Sequence, residues 1–279
     1  MRSGFVSFVG RPNVGKSTLL NAICGKKVSI VSDKPQTTRN RIRGVLTTAE
    51  TQLIFVDTPG IHKAVSALGE RVNATAIEST KDVDVVCLVI DATQTFGTGD
   101  KYVSNHIDMS KAVVILNKID RAEPAKILKQ LQALSSLGAA EYFPISAKTG
   151  DGVAELTAYL ATRMPEGELL YPAEMITETP DSVWIAELVR EQLLENTHEE
   201  LPYSIATRVT EYEPPRIRCE IVVERESQKG MVIGKGGLLL KEVGIAVRKQ
   251  LPKGIYLELA VVVDKNWQQR ADRVERLGY

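Results

Sequence analysis

The sequence predicts a chain of two domains, an α/β domain with a mostly parallel sheet followed by a smaller α+β domain. In residues 1–164, short apolar runs rich in β-branched residues alternate with segments of helical periodicity. This alternation is typical of a parallel sheet with helices on both faces. After residues 165–180 the pattern changes to a helix, two strands, a glycine-rich loop between helices, and a final strand. With 279 residues, the chain can bury a core in each domain.

The predicted strands of the first domain are short, and several are apolar throughout, as expected for strands buried on both faces. We expect strands at 4–10, two within 41–60 around a turn at 49–51, and others at 82–92, at 111–120 and at the start of 141–150. Helices are expected at 15–25, 124–138 and 152–164.

The segment 165–180 contains three prolines and a glycine and has no sustained periodicity, which predicts a linker. The second domain, residues 181–279, is expected to begin with a helix at 181–201 that Asp181 caps. Its other expected elements are strands at 203–213, 215–226 and 254–264, helices on both sides of the loop near 234, and a short polar helix at the end.

The composition is that of an ordinary folded protein, with 43% hydrophobic and 25% charged residues and a formal net charge of zero. The three cysteines are scattered without metal-binding or disulfide spacing, which suits a reducing compartment. The longest apolar run, 85–90, is too short to span a bilayer. The first residues already have a strand pattern, so we expect no signal peptide and a cytoplasmic location.

The first glycine-rich loop, "GRPNVGKS" from Gly10 to Ser17, has the spacing of a phosphate-binding P-loop between a strand and a helix. The backbone N–H groups of such a loop and the N-terminus of the following helix bind polyphosphate. Lys16 is expected to reach the β- and γ-phosphates, and the Ser17 hydroxyl to bind Mg²⁺. The alternative is a glycine-rich turn that binds nothing. The expected contacts of this loop are Gly10, Asn13, Val14, Gly15, Lys16, Ser17 and Thr18.

Three further motifs make the P-loop interpretation specific, and each follows a predicted strand: "DTPG" at 57–60, "NKID" at 117–120 and "SAK" at 146–148. In "DTPG", Asp57 is expected to hold Mg²⁺ and the Gly60 N–H to sense the γ-phosphate. In "NKID", the Asp120 carboxylate can accept two hydrogen bonds from guanine but not from adenine. Open α/β sheets bind ligands at the carboxyl ends of their strands. The expected base contacts are Asn117, Lys118, Asp120, Ser146, Ala147 and Lys148.

These four motifs, in this order, resemble those of the translation-factor-related, Era-like GTPases, and the resemblance covers residues 1–164. It implies that "KPQTTRNRIRG" at 34–44 is the first switch segment, in which one threonine binds Mg²⁺ and the γ-phosphate. We favour Thr38 over Thr37. The alternative is a flexible loop in which Arg39, Arg41 and Arg43 form the solvated face of an edge strand.

The residue after "DTPG" is Ile61, where many small GTPases place a glutamine that orients water. An arginine finger in the chain is not evident, so slow intrinsic hydrolysis is expected. The resemblance implies a substitute, because related GTPases with an asparagine at the position of Asn13 use a potassium ion in place of the arginine. Alternatively, Asn13 only braces the loop. The expected catalytic residues are Lys16, Thr38, Gly60 and Asn13, with Mg²⁺ bound by Ser17, Thr38 and Asp57.

The second glycine-rich loop, "VIGKGG" at 232–237, lacks the P-loop spacing and the following Ser or Thr. A G-x-x-G loop between two helices beside a sheet is the backbone clamp of a KH domain, which binds single-stranded RNA. Residues 229–253 carry six cations and one acid, whereas residues 181–279 as a whole carry 15 cations and 16 acids. The alternative is a solvated charged face. The expected RNA contacts are Lys229, Met231, Ile233, Gly234, Lys235, Gly236, Gly237 and Lys241.

A GTPase domain followed by a type II KH domain extends the resemblance to Era-type GTPases over the whole chain. It implies binding of GTP and GDP, binding of the 3′ end of small-subunit ribosomal RNA, and a role in 30S subunit assembly. It also implies peripheral association with the inner face of the membrane as an option, and a monomer. Two departures weaken the pattern: the acidic segment 193–201, and Asp264 where a basic residue is expected. There are three rival hypotheses. The first is a nucleotide-gated RNA-binding protein with incidental hydrolysis, and the second is an ATP-dependent phosphotransferase, which Asn117 and Asp120 disfavour. The third is a membrane-associated GTPase, for which the sequence shows no amphipathic anchor.

Overall fold

The computed structural model describes residues 1–62, 66–197 and 199–279. The described residues form two compact units. The first contains residues 1–31, 38–62 and 71–178, and the second contains residues 32–37, 66–70 and 179–279. Within the described ranges, no helix is long and apolar enough to cross a membrane.

The first unit is built on a sheet whose strand order is β2-β3-β1-β4-β5-β6, in which only β2 is antiparallel to its neighbour. The strands are β1 Arg2–Val9, β2 Ile42–Thr47, β3 Thr51–Asp57, β4 Val85–Asp91, β5 Val113–Asn117 and β6 Glu141–Pro144. The helices are α1 Lys16–Cys24, α2 Ala67–Glu78, of which residues 71–78 belong to this unit, α3 Thr98–Ser104, α4 Pro124–Leu134 and α5 Val153–Arg163.

Apolar side chains fill both faces of this sheet, as the apolar strand sequences predict. One cluster includes Phe8, Leu19 and Leu156, and a separate cluster includes Ile90 and Leu116. Since β1, β3, β4 and β5 are parallel and in register, their carboxyl ends lie at one edge of the sheet. The first loop and the ends of these strands are thereby brought together.

The segment predicted as a linker packs along the first unit. The buried side-chain amide of Gln52 binds the backbone of this segment through both its nitrogen and its oxygen. Nε2 donates to Tyr171 O at 2.8 Å, and Oε1 accepts from Leu170 N at 2.8 Å and from Tyr171 N at 2.9 Å. Val45 N donates to Ile176 O at 2.7 Å. The backbone of the segment is thus satisfied by the edge of the sheet, without regular periodicity of its own.

The second unit has a three-stranded sheet of order β7-β8-β9, with β7 antiparallel and β9 parallel to β8. The strands are β7 Ala206–Glu213, β8 Arg216–Val223 and β9 Tyr256–Val263. The helices are α6 Asp181–Asn196, α7 Leu201–Ser204, α8 Glu226–Ile233, α9 Leu238–Arg248 and α10 Ala271–Arg276. The short helix α7 was not predicted, but the other elements follow the predicted order of helix, two strands, two helices, strand and final helix.

Residues 32–37 belong to the second unit, where they meet the buried side chain of Arg190. The Arg190 guanidinium pairs with the Glu187 carboxylate, its Nε donating to Glu187 Oε1 at 3.0 Å, and its Nη2 also donates to the carbonyl of Thr37. This contact lies in the first half of the predicted switch segment.

Several predictions about local structure are wrong. Asp181 is not a cap, because α6 begins at Asp181 itself after Pro180, and its carboxylate accepts a hydrogen bond from Tyr212 Oη at 3.1 Å. The predicted helix 124–138 ends at Leu134 and continues only as a 3₁₀ turn. The alternating arginines do not share a strand face, since β2 begins at Ile42 and Arg39 is buried.

Candidate nucleotide site and second glycine-rich loop

The first loop joins the end of β1 to the start of α1, and Lys16 is the first residue of that helix. Lys16 is buried, and its Nζ donates to the carbonyls of Gly10 at 3.2 Å and Arg11 at 3.0 Å. Burial lowers the pKa of Lys16 to about 8, although the nearby Asp57 carboxylate opposes the shift. Among the described residues, this buried cation donates to carbonyls, and it is therefore suited to receive an anion.

Three hydroxyls surround the buried carboxylate of Asp57 at the end of β3. Oδ2 accepts from Ser17 Oγ at 2.6 Å and from Ser29 Oγ at 2.9 Å, with Thr38 Oγ1 at 3.5 Å. Ser17 Oγ and Thr38 Oγ1 lie 2.9 Å apart, whereas Thr37 Oγ1 donates to Lys34 O at 2.7 Å. The predicted metal ligands Ser17, Thr38 and Asp57 therefore lie together, and Thr37 does not join them.

This oxygen cluster fits a hard cation. Asp57 Oδ1 is buried and has no hydrogen-bond partner among the described residues, and burial raises the pKa of the carboxyl against the opposing effect of Lys16. Mg²⁺ is usually bound by one or two carboxylates together with substrate phosphates and water. Within the described ranges no group of three or more His, Cys, Asp or Glu could hold a metal alone. The donor set thus suits Mg²⁺ carried with a polyphosphate.

The Gly60 position lies against the first loop. A Cβ at Gly60 would approach Pro12 N to 2.5 Å and Pro12 Cα to 2.6 Å, so only glycine fits without moving the loop backbone. The next residue, Ile61, donates from its backbone N to Gly10 O at 3.1 Å, and its side chain is 2% exposed. Since the Ile61 side chain is apolar and buried in the core, it cannot hydrogen-bond to a water at the site or orient it.

The remaining predicted base contacts meet at the ends of β5 and β6. Asn117 joins the two loops, its Nδ2 donating to Val14 O at 2.8 Å and its Oδ1 accepting from Ala147 N at 2.9 Å. Ser146 Oγ donates to Asp120 Oδ1 at 2.7 Å, and Asp120 is exposed. Lys148 is also exposed. An accessible carboxylate positioned by one hydroxyl can pair with a ligand.

Asp91 is a site residue that sequence reasoning missed. Its Oδ2 accepts from Lys118 Nζ at 2.7 Å, and Lys118 Nζ also donates to the backbone oxygen of Asn13 at 2.5 Å. Burial alone would raise the pKa of Asp91, but the hydrogen bonds from Lys118 and Thr93 lower it. The sequence did contain a signal for Asp91, because this acidic residue ends an apolar strand in the same way as Asp57 does. Ser29, which binds Asp57, carried no such signal.

The second loop lies between α8 and α9. Gly236 has a φ of 61°, in the left-handed region, and a Cβ there or at Gly237 would meet nothing within 4 Å. The loop surface is thus open enough for a close backbone approach. Of the predicted contacts, Met231 is 58% exposed, and Lys235 and Lys241 are exposed, as is Leu238, which was not predicted. Lys229, Ile233, Gly234 and Gly237 are partly exposed.

Two family models match the chain. One, described as a 50S ribosome-binding GTPase, covers residues 5–118, and one described as a KH domain covers residues 200–268. GTPase Era of Mycobacterium sp. strain KMS is 44% identical over 295 residues, a match that covers 100% of this chain and 99% of the relative. The chain belongs to the Era family of GTPases. Era of Heliobacterium modesticaldum is likewise 44% identical, over 100% of this chain and 97% of its own.

Solved structures of Era have the same fold. Era in complex with MgGDPNP and nucleotides 1506–1542 of 16S ribosomal RNA is 39% identical with a TM-score of 0.96. An Aquifex aeolicus Era variant bound to GDP and AlF₄⁻ is 38% identical with a TM-score of 0.95. Each match covers 100% of this chain and 99% of the other. The predicted P-loop GTPase domain followed by a KH domain is confirmed, as is the prediction of a GTPase.

Proposed function

We propose that this Era-family GTPase binds GTP with Mg²⁺, hydrolyses it slowly, and binds the 3′ end of small-subunit ribosomal RNA during 30S subunit assembly. The observation that carries the proposal is the full-length similarity to Era in complex with MgGDPNP and 16S ribosomal RNA nucleotides. The family model described as a 50S ribosome-binding GTPase covers only residues 5–118, so it does not include the second glycine-rich loop at 232–237.

The geometry supports a magnesium site formed by Ser17, Thr38 and Asp57. Asp57 has one oxygen bonded to the hydroxyls of Ser17 and Ser29 and one buried oxygen without a described partner, so it can accept a metal-bound water. When bound, Mg²⁺ neutralises charge on the β- and γ-phosphate oxygens. Lys16, which is buried at the start of α1, would hold a cation against the same phosphates.

The roles proposed in hydrolysis are electrostatic. Lys16 stabilises phosphate charge, the Gly60 N–H donates to the γ-phosphate, and Thr38 joins the metal and that phosphate. We also propose that a potassium ion binds beside Asn13 and assists hydrolysis. This proposal predicts that Asn13→Ala abolishes any stimulation of GTP hydrolysis by K⁺ over Na⁺, while Ile61→Ala changes the rate only modestly. Equal wild-type rates in the two salts would remove potassium from the mechanism.

The nucleotide contacts are proposed at Gly10, Asn13, Val14, Gly15, Lys16, Ser17, Thr18, Asp57, Gly60, Asn117, Lys118, Asp120, Ser146, Ala147 and Lys148. The RNA contacts are proposed at Lys229, Met231, Ile233, Gly234, Lys235, Gly236, Gly237 and Lys241. The exposure of Lys235, Gly236 and Lys241 supports the RNA contacts. A monomer, a cytoplasmic location with optional peripheral membrane association, and domain boundaries at 164 and 181 stay predictions.

The second candidate function is a nucleotide-gated RNA-binding protein with incidental hydrolysis, which the buried Ile61 favours. The two functions differ in turnover. We expect a 16S 3′-end oligonucleotide to stimulate multiple-turnover GTP hydrolysis, and a scrambled RNA of equal length or a 23S fragment not to do so. Turnover that no RNA changes, together with tight RNA binding only in the GTP state, would favour the second candidate.

The double variant Lys235→Asp/Gly236→Asp tests the RNA surface separately. It places acids where RNA phosphates must approach, so RNA affinity and RNA-stimulated turnover should collapse. Basal turnover and GTP affinity should remain. Lys265→Asp, a charge reversal elsewhere in the second unit, serves as the control. Measurements at one fixed salt concentration are required because phosphate contacts are salt-dependent. Loss of GTP affinity in the folded double variant would contradict the division into two ligand sites.

A further inference from the structure

A cavity of about 660 Å³ lies on the first unit between α3 and α4, and no residue of the P-loop lines it. This volume is within the range of small-molecule sites. Lys101, Lys126 and Lys129 line it, together with the apolar side chains of Phe96 and Leu137. Among the described residues that line the cavity, none is acidic. The cavity therefore combines a positive potential with an apolar wall.

Gln130 gives this cavity a second feature. The residue lines the cavity and is 7% exposed, and its Nε2 donates to Ala92 O at 2.6 Å. Its Oε1 is buried and has no hydrogen-bond partner in the described part of the chain. A buried acceptor without a partner is unfavourable, so such atoms usually have a ligand or water to bind.

We infer that this cavity is a binding site for a small organic anion, with a phosphate or carboxylate group on a planar apolar body that carries an N–H or O–H donor. The lysines would pair with the anionic group, and charge-assisted hydrogen bonds of this kind are the stronger ones. Phe96 and Leu137 would contact the apolar body. The donor would satisfy Gln130 Oε1 after a rotation of this side chain that exposes the buried oxygen to the cavity.

The site is connected to the nucleotide site by a chain of hydrogen bonds. Lys126 Nζ donates to Thr93 O at 2.6 Å, and Thr93 donates to Asp91 Oδ1 from its backbone N at 2.8 Å and from its Oγ1 at 2.6 Å. Asp91 in turn holds Lys118, one of the proposed base contacts. An anion that pairs with Lys126 and breaks its hydrogen bond to Thr93 O would leave Thr93 less firmly held. The hydrogen bonds from Thr93 to Asp91 would then weaken. Ligand binding should therefore alter nucleotide release, an effect that rests on the proposed nucleotide site.

The binding test uses 8-anilinonaphthalene-1-sulfonate, which has an anionic group, aromatic rings and an N–H. The protein is first saturated with GDP and Mg²⁺ so that the P-loop is filled. Lys129→Glu reverses one charge and Ala133→Phe fills the cavity, since Ala133 lines it. Each should weaken dye binding at least fivefold. Lys81→Glu and Ala125→Phe, at exposed positions outside the lining, are matched controls and should leave it unchanged.

Competition then identifies the anionic group. Displacement of the dye by phenyl phosphate but not by benzoate assigns a phosphate ligand, and the reverse assigns a carboxylate. Equal dye affinity in wild type, Lys129→Glu and Ala133→Phe, with all three folded by thermal melting, would overturn the proposal. So would displacement by neither competitor.

The coupling is measured as the release rate of a fluorescent GDP analogue with and without saturating dye. We expect a change of at least threefold in wild type and none in Ala133→Phe. Dye binding that is lost in the cavity variants without any effect on release would support the site and overturn the coupling. The variants at Lys129 and Ala133 locate the dye by residues that line the cavity, so failure of the proposed nucleotide site would leave the binding result standing.

Discussion

Ser17 Oγ donates a hydrogen bond to Asp57 Oδ2 over 2.6 Å, which joins the start of α1 to the end of β3. The two residues are 40 positions apart in the chain, yet they meet because β1 and β3 are parallel neighbours in the sheet. In this position the hydroxyl and the carboxylate can share one cation. The first prediction follows from this pair.

Ser17→Ala should abolish the dependence of GDP affinity on magnesium. We expect wild type to lose at least tenfold in GDP affinity when Mg²⁺ is removed with EDTA, and Ser17→Ala to show nearly the same affinity in both conditions, because the metal has lost its hydroxyl ligand. The measurement is fluorescence titration with a labelled GDP. Ser29→Ala removes another hydrogen bond to Asp57 and is the control. If Ser17→Ala keeps the full magnesium effect, the ligand assignment is wrong.

Asp120→Asn should change the base preference from guanine to xanthine. The carboxylate accepts from the N–H and amino groups of guanine, whereas the amide can also donate to the additional oxygen of xanthine. We expect GTP affinity to fall by at least a hundredfold and xanthosine triphosphate affinity to rise.

Ser146→Ala is the control for Asp120, because it removes the hydroxyl that donates to Asp120 Oδ1. This variant should lower GTP affinity without changing which base is preferred. Unchanged GTP affinity in Asp120→Asn, with no gain for xanthosine triphosphate, would exclude Asp120 as the base-reading residue.

Nucleotide binding should be accompanied by proton uptake at Lys16. The pKa of Lys16 is about 8 in the free protein, below its ordinary value of 10.5, and bound phosphates should raise it again. At pH 8.5 we expect uptake of about three-quarters of a proton per GDP. Calorimetry in two buffers of different ionisation enthalpy measures this number. Lys16→Met should take up none, and uptake equal to wild type in this variant would refute the assignment.

The same shift sets the sign of a stability effect. Between pH 8 and 10.5 the unfolded chain binds more protons at Lys16 than the folded chain does. The free energy of unfolding contributed by this group should therefore rise with pH across this window and level off above it. In Lys16→Met that contribution should be absent, which thermal melts at several pH values can test.

Arg190→Ala should destabilise the second unit by about 3–5 kcal/mol, because it leaves the buried Glu187 carboxylate without its partner. Both tryptophans of the sequence, Trp184 and Trp267, lie in the second unit, so their fluorescence during urea unfolding reports on that unit alone. The double variant Arg190→Met/Glu187→Leu should recover most of the loss.

The control for Arg190 is Arg208→Ala, which removes a partly exposed ion pair with Glu220. We expect a loss of about 1 kcal/mol or less, since solvent screens this pair. Equal losses in the two single variants would show that burial of the Arg190 pair adds nothing to stability.

The sequence by itself determined the two architectures and the location of the proposed nucleotide site. Spacing within "GRPNVGKS", "DTPG" and "NKID" is local, and each motif follows a strand whose apolar pattern is also local. Once the strands are parallel, their carboxyl ends must meet at one edge, so the motifs must converge. Likewise, the spacing of the three glycines within 234–237 and the residues next to them were enough to predict an open loop.

Only the tertiary structure decided the partners of residues that carry no local pattern. Arg190 meets Thr37 across 153 positions, and Gln52 holds Leu170 and Tyr171 across 118 and 119 positions. The same holds for the cavity between α3 and α4, whose lysines look like ordinary surface charges in the sequence. The physical reason is that hydrogen bonding and burial at these positions depend on which distant segments pack together, and residue type and local periodicity do not specify that packing.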